Sequence, residues 1–174
     1  RFVWVEGSEA APHALDYARR YQSAPEDGAL LEVNLDALDW LERIAAHLER
    51  GWVLAIDYGY TARELIRFPQ GTLMSYRRHT AHDDVLATPG DRDITAHVNF
   101  TALADRAAEL GFAPIRLETL ARTLLAAGEK DQFASVLTGA SDAERARRAL
   151  QLKTLLFGMG ETFRTLLLGK GVRQ

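Results

Sequence analysis

An apolar run ends in a carboxylate and two tyrosines, and a crowd of cationic and titratable side chains follows. Trp52-Val53-Leu54-Ala55-Ile56 leads directly into Asp57-Tyr58-Gly59-Tyr60. The connection behind it carries Arg77, Arg78, His79, His82, Asp83, Asp84, Asp93, Thr95 and His97. A carboxylate at the end of a buried strand can pair with a cationic substrate. Tyrosines beside it offer hydroxyls and ring faces, and a nearby histidine, with an unperturbed pKa of about 6.5, can take a proton. In an open α/β sheet the carboxyl end of a strand is where ligands bind.

Each of these features also has a plainer reading. Asp57 can be a turn residue that caps the next segment. His79, His82, Asp83 and Asp84 can be a solvated charged loop, and without a helix to put two imidazoles on one face their spacing does not make a metal site. The alternation Asp93-Ile94-Thr95-Ala96-His97-Val98-Asn99 sends Asp93, Thr95, His97 and Asn99 to one side if the segment is extended. That row can reach toward Asp57 or be the wet face of a half-buried strand. No serine stands in a nucleophile-elbow context, which argues against a Ser-His-Asp hydrolase.

The elements that position these residues follow from periodicity and punctuation. Leu35, Leu38, Leu41, Ala45 and Leu48 form one stripe of a helix over 35–50, with Asn34 as its cap and Gly51 at its end. Trp52 to Asp57 lacks polar alternation, as in a strand covered on both faces. Asn99 can cap a helix at 100–110 that stops at Gly111. A strand at 112–117 follows, and Pro114 favours an edge position for it. A short helix at 119–127 ends at Gly128. Ser141-Asp142-Ala143-Glu144 is a capping-box pattern opening a helix to Phe157, and Phe163 to Leu168 is a last strand. Before all of these, Phe2–Val5 and Leu30–Val33 read as short extended pieces, and 13–21 as a helix broken by Pro25 and Gly28. The connection from Tyr60 to Asp93 is far longer than the ~2–6 residues that usually join two elements. Its apolar residues Leu65, Ile66, Phe68 and Leu73 argue against disorder.

With 174 residues the chain can bury the core of one domain. Its net charge of −3 divides unevenly. Residues 1–100 hold 10 Lys+Arg against 16 Asp+Glu, giving −6, and residues 101–174 hold 11 against 8, giving +3. Neither half has the basic run that nucleic acid requires. Cysteine is absent, which excludes disulfides and thiolate chemistry. No apolar stretch approaches a membrane span. The first strong helix has no substantial parallel strand ahead of it, so the topology reads as the C-terminal half of a larger α/β domain.

The central block resembles the MidA family of S-adenosylmethionine-dependent methyltransferases, whose mitochondrial members assist assembly of respiratory complex I. The resemblance rests on Ile56-Asp57-Tyr58-Gly59-Tyr60, Gly71-Thr72-Leu73, Tyr76-Arg77-Arg78-His79, His82-Asp83-Asp84, Pro89-Gly90 and Asp93 through Phe100. Met159-Gly160-Glu161 with Phe163 to Leu168 is similar to the family's closing segment. It implies an α/β fold: the C-terminal half of a class I (Rossmann-like) methyltransferase sheet with a long insertion after one strand, about residues 60–95. The strands at 52–57 and 112–117 would be the parallel fifth and sixth, and Phe163–Leu168 the antiparallel seventh. Residues 1–174 would then be the C-terminal part of one domain, with the glycine-rich cofactor-binding half upstream of Arg1. At Thr119-Leu120-Ala121 the chain departs from the family, which often carries glutamine there.

The resemblance further implies S-adenosylmethionine as cofactor and a protein arginine as methyl acceptor, this chain supplying the substrate side of the pocket. The catalytic candidates are Asp57, Asp93 and His97. Tyr58, Tyr60, Arg78, His79 and Thr95 are the substrate-binding candidates, and no metal is called for. A non-catalytic assembly or scaffold protein using the same fold as a binding surface is the alternative. A protein substrate and a homodimer are the expected partners, in the bacterial cytoplasm in preference to a mitochondrial matrix.

Overall fold

The computed structural model describes residues 2–22, 27–78 and 80–172. Pro25, expected to break the first helix, and His79 lie outside them. Four strands form the main sheet: β1 (Gly51–Tyr60), β5 (Val98–Asn99), β6 (Ala113–Thr119) and β7 (Phe163–Lys170), in the order β5-β1-β7-β6. β7 runs antiparallel to both neighbours, so β1 and β6 are parallel to each other. That is the arrangement expected for the end of a methyltransferase sheet. β6 lies at the edge, and its register shifts between Pro114 and Arg116, where proline cannot donate to a ladder.

One face of this sheet is packed. Helices α2 (Leu35–His47) and α4 (Phe100–Glu109) cover it, with Leu41, Phe100, Ala107, Phe112, Leu166 and Leu168 at the centre. Phe100 is fully buried; excluding such a ring from water stabilises the fold by about 2–3 kcal/mol. Asn99 sets where α4 begins, its side-chain oxygen accepting the N–H groups of Thr101 and Ala102 at 3.1 and 3.2 Å. Gly111, at φ +83°, lets the chain turn out of the helix. Across the outer end of this layer the Arg106 guanidinium pairs with Glu42 and Glu109.

The other face corrects an expectation. The apolar run of β1 reads as covered on both sides, yet Trp52, Leu54 and Ile56 are about half exposed. Their neighbours Val53 and Ala55 turn inward instead. β1 is also open along one edge. Gly59 and Tyr60 pair with β5, whereas residues 51–58 pair only with β7 among the described residues.

The described residues of the long connection include regular structure. They hold α3 (Ala62–Leu65) and a separate three-stranded antiparallel sheet, β2 (Met74–Arg77), β3 (Thr80–His82) and β4 (Asp93–Thr95), in the order β3-β2-β4. The remaining elements are α1 (Pro12–Tyr21), α5 (Leu120–Gly128), α6 (Ala134–Leu137) and α7 (Asp142–Lys153), the last passing into a π-helical turn at Thr154–Met159. Ser141 and Glu144 close the expected capping box on α7.

Four local expectations fail. Phe2–Val5 forms no strand and is exposed, because an isolated extended piece has no ladder to satisfy its backbone. Leu30–Val33 joins no sheet; it is held by Leu30 N–H to Pro69 O at 3.0 Å. Asn34 does precede α2, but its side-chain oxygen accepts the Asn99 N–H at 2.8 Å and does not cap the helix. That helix ends at His47, four residues before Gly51. No helix among the described residues is long and apolar enough to cross a membrane.

Candidate functional site

The last four residues of β1 and the entry to β5 bring four of the sequence candidates together. His97 immediately precedes β5, whose parallel pairing sets Gly59 opposite Val98 and Tyr60 opposite Asn99. The His97 ring lies 5.0 Å from the Tyr60 ring, edge-on, and 6.2 Å from Tyr58, stacked. Tyr58 leans on Phe163 at 3.9 Å, which ties the site to β7. Asp57 is exposed, and one carboxylate oxygen accepts the Tyr58 N–H at 2.7 Å. It sits on the rim of an apolar cleft of about 390 Å³ along the open edge of β1, walled by Trp40, Leu41, Val53, Phe100 and Leu103.

Gly59 is what permits this closeness. A β-carbon there would overlap the Val98 carbonyl oxygen and come within 2.7 Å of the Phe100 ring. Only glycine lets β5 pack against β1 between the two tyrosines.

A polar clamp holds Tyr60 from one side. The guanidinium groups of Arg67 and Arg164 lie 5.5 and 5.7 Å from its ring centre. Arg164 is fixed by Glu64 at 2.7 Å, and Glu64 closes a capping box with Thr61 on α3. Burial pushes the Glu64 carboxyl up. The Thr61 backbone and hydroxyl hydrogen bonds and the Arg164 charge outweigh it, so Glu64 sits below its usual range.

His97 is held from the other side. Its backbone N–H donates to Thr72 Oγ1 at 2.8 Å. Thr72 in turn donates to Glu32 from its N–H at 2.8 Å and from its hydroxyl at 2.6 Å. Burial lowers the His97 pKa, opposed by the Glu32 and Asp57 carboxylates. Burial thus favours the neutral ring over the imidazolium.

The other candidates lie elsewhere. Asp93 and Thr95 belong to β4 and pair with Tyr76 and Met74 of β2. The polar row from Asp93 to Asn99 is thus split between two sheets. No described hydrogen bond or ion pair joins Asp93 to Asp57 or His97. Arg78 is exposed, at φ +50° in the turn after β2, and His79 is outside the described residues. No group of three His, Asp or Glu side chains among the described residues could hold a metal.

Sequence reasoning missed Glu32, Glu64 and Arg164, and met Thr72 only as part of a family motif. The capping-box spacing Thr61-x-x-Glu64 was a readable signal. Nothing local marks Glu32, whose partner is 40 residues away.

The family described as "Putative S-adenosyl-L-methionine-dependent methyltransferase" matches residues 1–117. Comparison with curated proteins gives no match. Among solved structures, an uncharacterized protein from Burkholderia thailandensis is similar, at 32% identity and a TM-score of 0.80; the match covers 95% of this chain and 45% of that one. A member of the same superfamily from Burkholderia thailandensis, bound to S-adenosyl-homocysteine, matches at 30% identity and a TM-score of 0.79, covering 95% and 44%. The chain spans less than half the length of these relatives.

Proposed function

The chain belongs to this methyltransferase family, and from that premise we propose that it forms the C-terminal, acceptor-binding half of an S-adenosylmethionine-dependent enzyme of the MidA type. The observation that carries the proposal is the gathering of Asp57, Tyr58, Tyr60 and His97 at the carboxyl end of β1, beside an open sheet edge. A strand open over eight residues and an apolar cleft beneath it fit a continuation of the sheet, from which a glycine-rich turn would hold the cofactor. The similarity to a protein bound to S-adenosyl-homocysteine supports the same cofactor here.

The residues present fit the acceptor side of that cofactor. Asp57 offers an exposed carboxylate on the cleft rim, and His97 a neutral, half-buried imidazole. S-adenosylmethionine supplies an electrophilic methyl group on sulfonium. We assign a protein arginine as acceptor: Asp57 pairs with its guanidinium, and the rings of Tyr58 and Tyr60 exclude water around it. Methyl transfer depends on alignment more than on a strong base. As the guanidinium nitrogen gains its methyl it releases one proton, and His97 accepts it. A role in complex I assembly and a place in the bacterial cytoplasm belong to the same reading; the solved relatives come from a bacterium.

The test is transfer of a tritiated methyl group from S-adenosylmethionine to arginine-containing proteins by the full-length protein. Asp57→Asn should lower transfer on the order of a hundredfold with the unfolding midpoint unchanged. Near-normal transfer by that variant would return Asp57 to a turn role. Absence of transfer with partner binding retained would favour a scaffold protein.

A further inference from the structure

We propose that Glu32 is a positioning residue for His97: through Thr72 it fixes the His97 backbone, and through one water in the small cavity beside the ring it holds the imidazole as the Nδ1–H tautomer. Nε2, on the far side of the ring, is then the proton acceptor. This rests on the proposed methyl transfer only for what the proton is used for.

The arrangement is a built one. Glu32 reaches Thr72 from a segment that Leu30 pins to Pro69 O at 3.0 Å. Each of its carboxylate oxygens accepts one bond, from the Thr72 N–H and from the Thr72 hydroxyl, and keeps a lone pair for a further donor. Gly71 makes the approach possible. It lies at φ +73°, and a β-carbon there would sit 3.1 Å from Glu32 Oε1. Because the Thr72 hydroxyl proton points to Glu32, its lone pairs remain for the His97 backbone N–H at 2.8 Å. Thr72 is itself buried, so this chain of bonds is shielded from competition by solvent.

Two orphaned atoms point to the rest. His97 Nδ1 and Gln22 Oε1 are both buried without a hydrogen-bond partner among the described residues. Both residues line one cavity of about 20 Å³, together with Glu32, Asn34, Phe68 and Thr72. That volume suits a single water, and the polar lining supplies the two to four partners a buried water needs. Gln22 Oε1 can only accept, so the water donates to it, and the carboxylate of Glu32 favours a second donated bond. The water's lone pairs then face Nδ1, which must carry the proton. A base oriented through its other nitrogen by a third group is the general logic of activated acid–base pairs.

The charged and titratable groups around the ring are Glu32 from the segment ahead of α2, Asp57, Tyr58 and Tyr60 from β1, and Arg67 and Arg164 over the Tyr60 ring. Glu32 and Asp57 both pull the His97 pKa upward against burial. Removing the Glu32 charge should therefore lower it further.

Nitrogen-15 NMR of histidine-labelled full-length protein reads both tautomer and pKa without cofactor or substrate. Wild type should show His97 as Nδ1–H. Glu32→Gln and the near-isosteric Thr72→Val should each shift it toward Nε2–H, Glu32→Gln with a lower pKa, while Thr72→Ser keeps the wild-type signature. Where transfer is measurable, Glu32→Gln should reduce kcat roughly tenfold at constant KM, less than the ~10²–10⁴ for losing the base itself. An unchanged tautomer in the folded variants overturns the proposal and leaves Glu32 a structural tie. If Glu32→Gln does not fold, Thr72→Val alone decides in the same way. A shifted tautomer in a protein that transfers no methyl group keeps this inference and removes the methyltransferase reading.

Discussion

Gly59→Ala is the sharpest test of how the site is assembled. The added β-carbon would overlap the Val98 carbonyl oxygen and approach Phe100 Cε2 and Cδ2 at 2.6 and 2.7 Å. Neither obstacle can move freely. The carbonyl belongs to the β1–β5 ladder, and the ring is fully buried in the core. Overpacking of this kind costs about 1–3 kcal/mol, and two fixed obstacles put this site at the upper end. The gain from a less flexible unfolded chain offsets about 0.4–1 kcal/mol, leaving a net loss of about 2 kcal/mol. Equilibrium urea unfolding of the full-length protein measures it as a lower midpoint at unchanged slope. Gly158→Ala is the control: its β-carbon would meet only Thr154 Cγ2, at 3.6 Å, so stability should hold or rise by up to about 1 kcal/mol. Because β5 also carries the cap of α4 and follows His97, Gly59→Ala should disturb the His97 signals as well. A Gly59→Ala protein within about 0.5 kcal/mol of wild type would mean that β5 does not pack on β1 as described.

Two further outcomes follow from other parts of the site. Tyr76 and Asp93 face each other in the β2–β4 ladder, so replacing residues 77–92 by a four-residue Gly/Ser linker should leave cofactor affinity unchanged and raise KM for a protein acceptor; a matched loss of affinity and stability would make the small sheet structural. Glu64 is held below its usual range in the folded state, so its stabilisation is complete above its unfolded pKa of about 4.3 and is lost as pH falls through the lower folded value. Glu64→Gln should accordingly flatten the acid limb of the unfolding profile below about pH 4, and an unchanged acid limb would show that the Thr61 and Arg164 bonds together do not hold this carboxyl down in solution.

The fold was legible wherever a signal was local. Phe163 to Leu168 is a short, mostly apolar segment between glycines, broken only by Arg164 and Thr165, and it became the central antiparallel strand. Asn99 before Phe100 is a helix start, and Pro114 is an edge mark; both hold. The failures share one cause, which is that pairing is a tertiary fact. The alternation from Asp93 to Asn99 looks like one strand, but β4 finds its partner in β2 and β5 finds its partner in β1. Asn34 has the right type and place to cap α2, yet the backbone N–H of Asn99 competes for the same oxygen and takes it. Asp57, Tyr58, Tyr60 and His97 were readable from type and position. Their supports were not, because Glu32 to Thr72 and Glu64 to Arg164 are pairs separated by 40 and 100 residues.

Those two supports explain why the long connection has two parts with different duties. Its first dozen residues are bound into the main domain: Glu64 reaches β7 through Arg164, Ala62 N–H donates to Thr101 on α4 at 3.0 Å, and Thr72 joins Glu32 to His97. Tyr60 and His97 are in this way held by two separate sets of contacts, an arginine–glutamate one and a glutamate–threonine one. The residues beyond Leu73 form their own sheet, with its own buried Ser75 and Arg92 reaching Ser75 Oγ at 3.3 Å. A unit with internal bonds and few ties to the core can be exchanged between relatives without disturbing the chemistry beneath it. On the proposed reading, exchange of the β2–β4 sheet should therefore change acceptor preference, whereas loosening Glu32 or Glu64 should change the site beneath Tyr60 and His97.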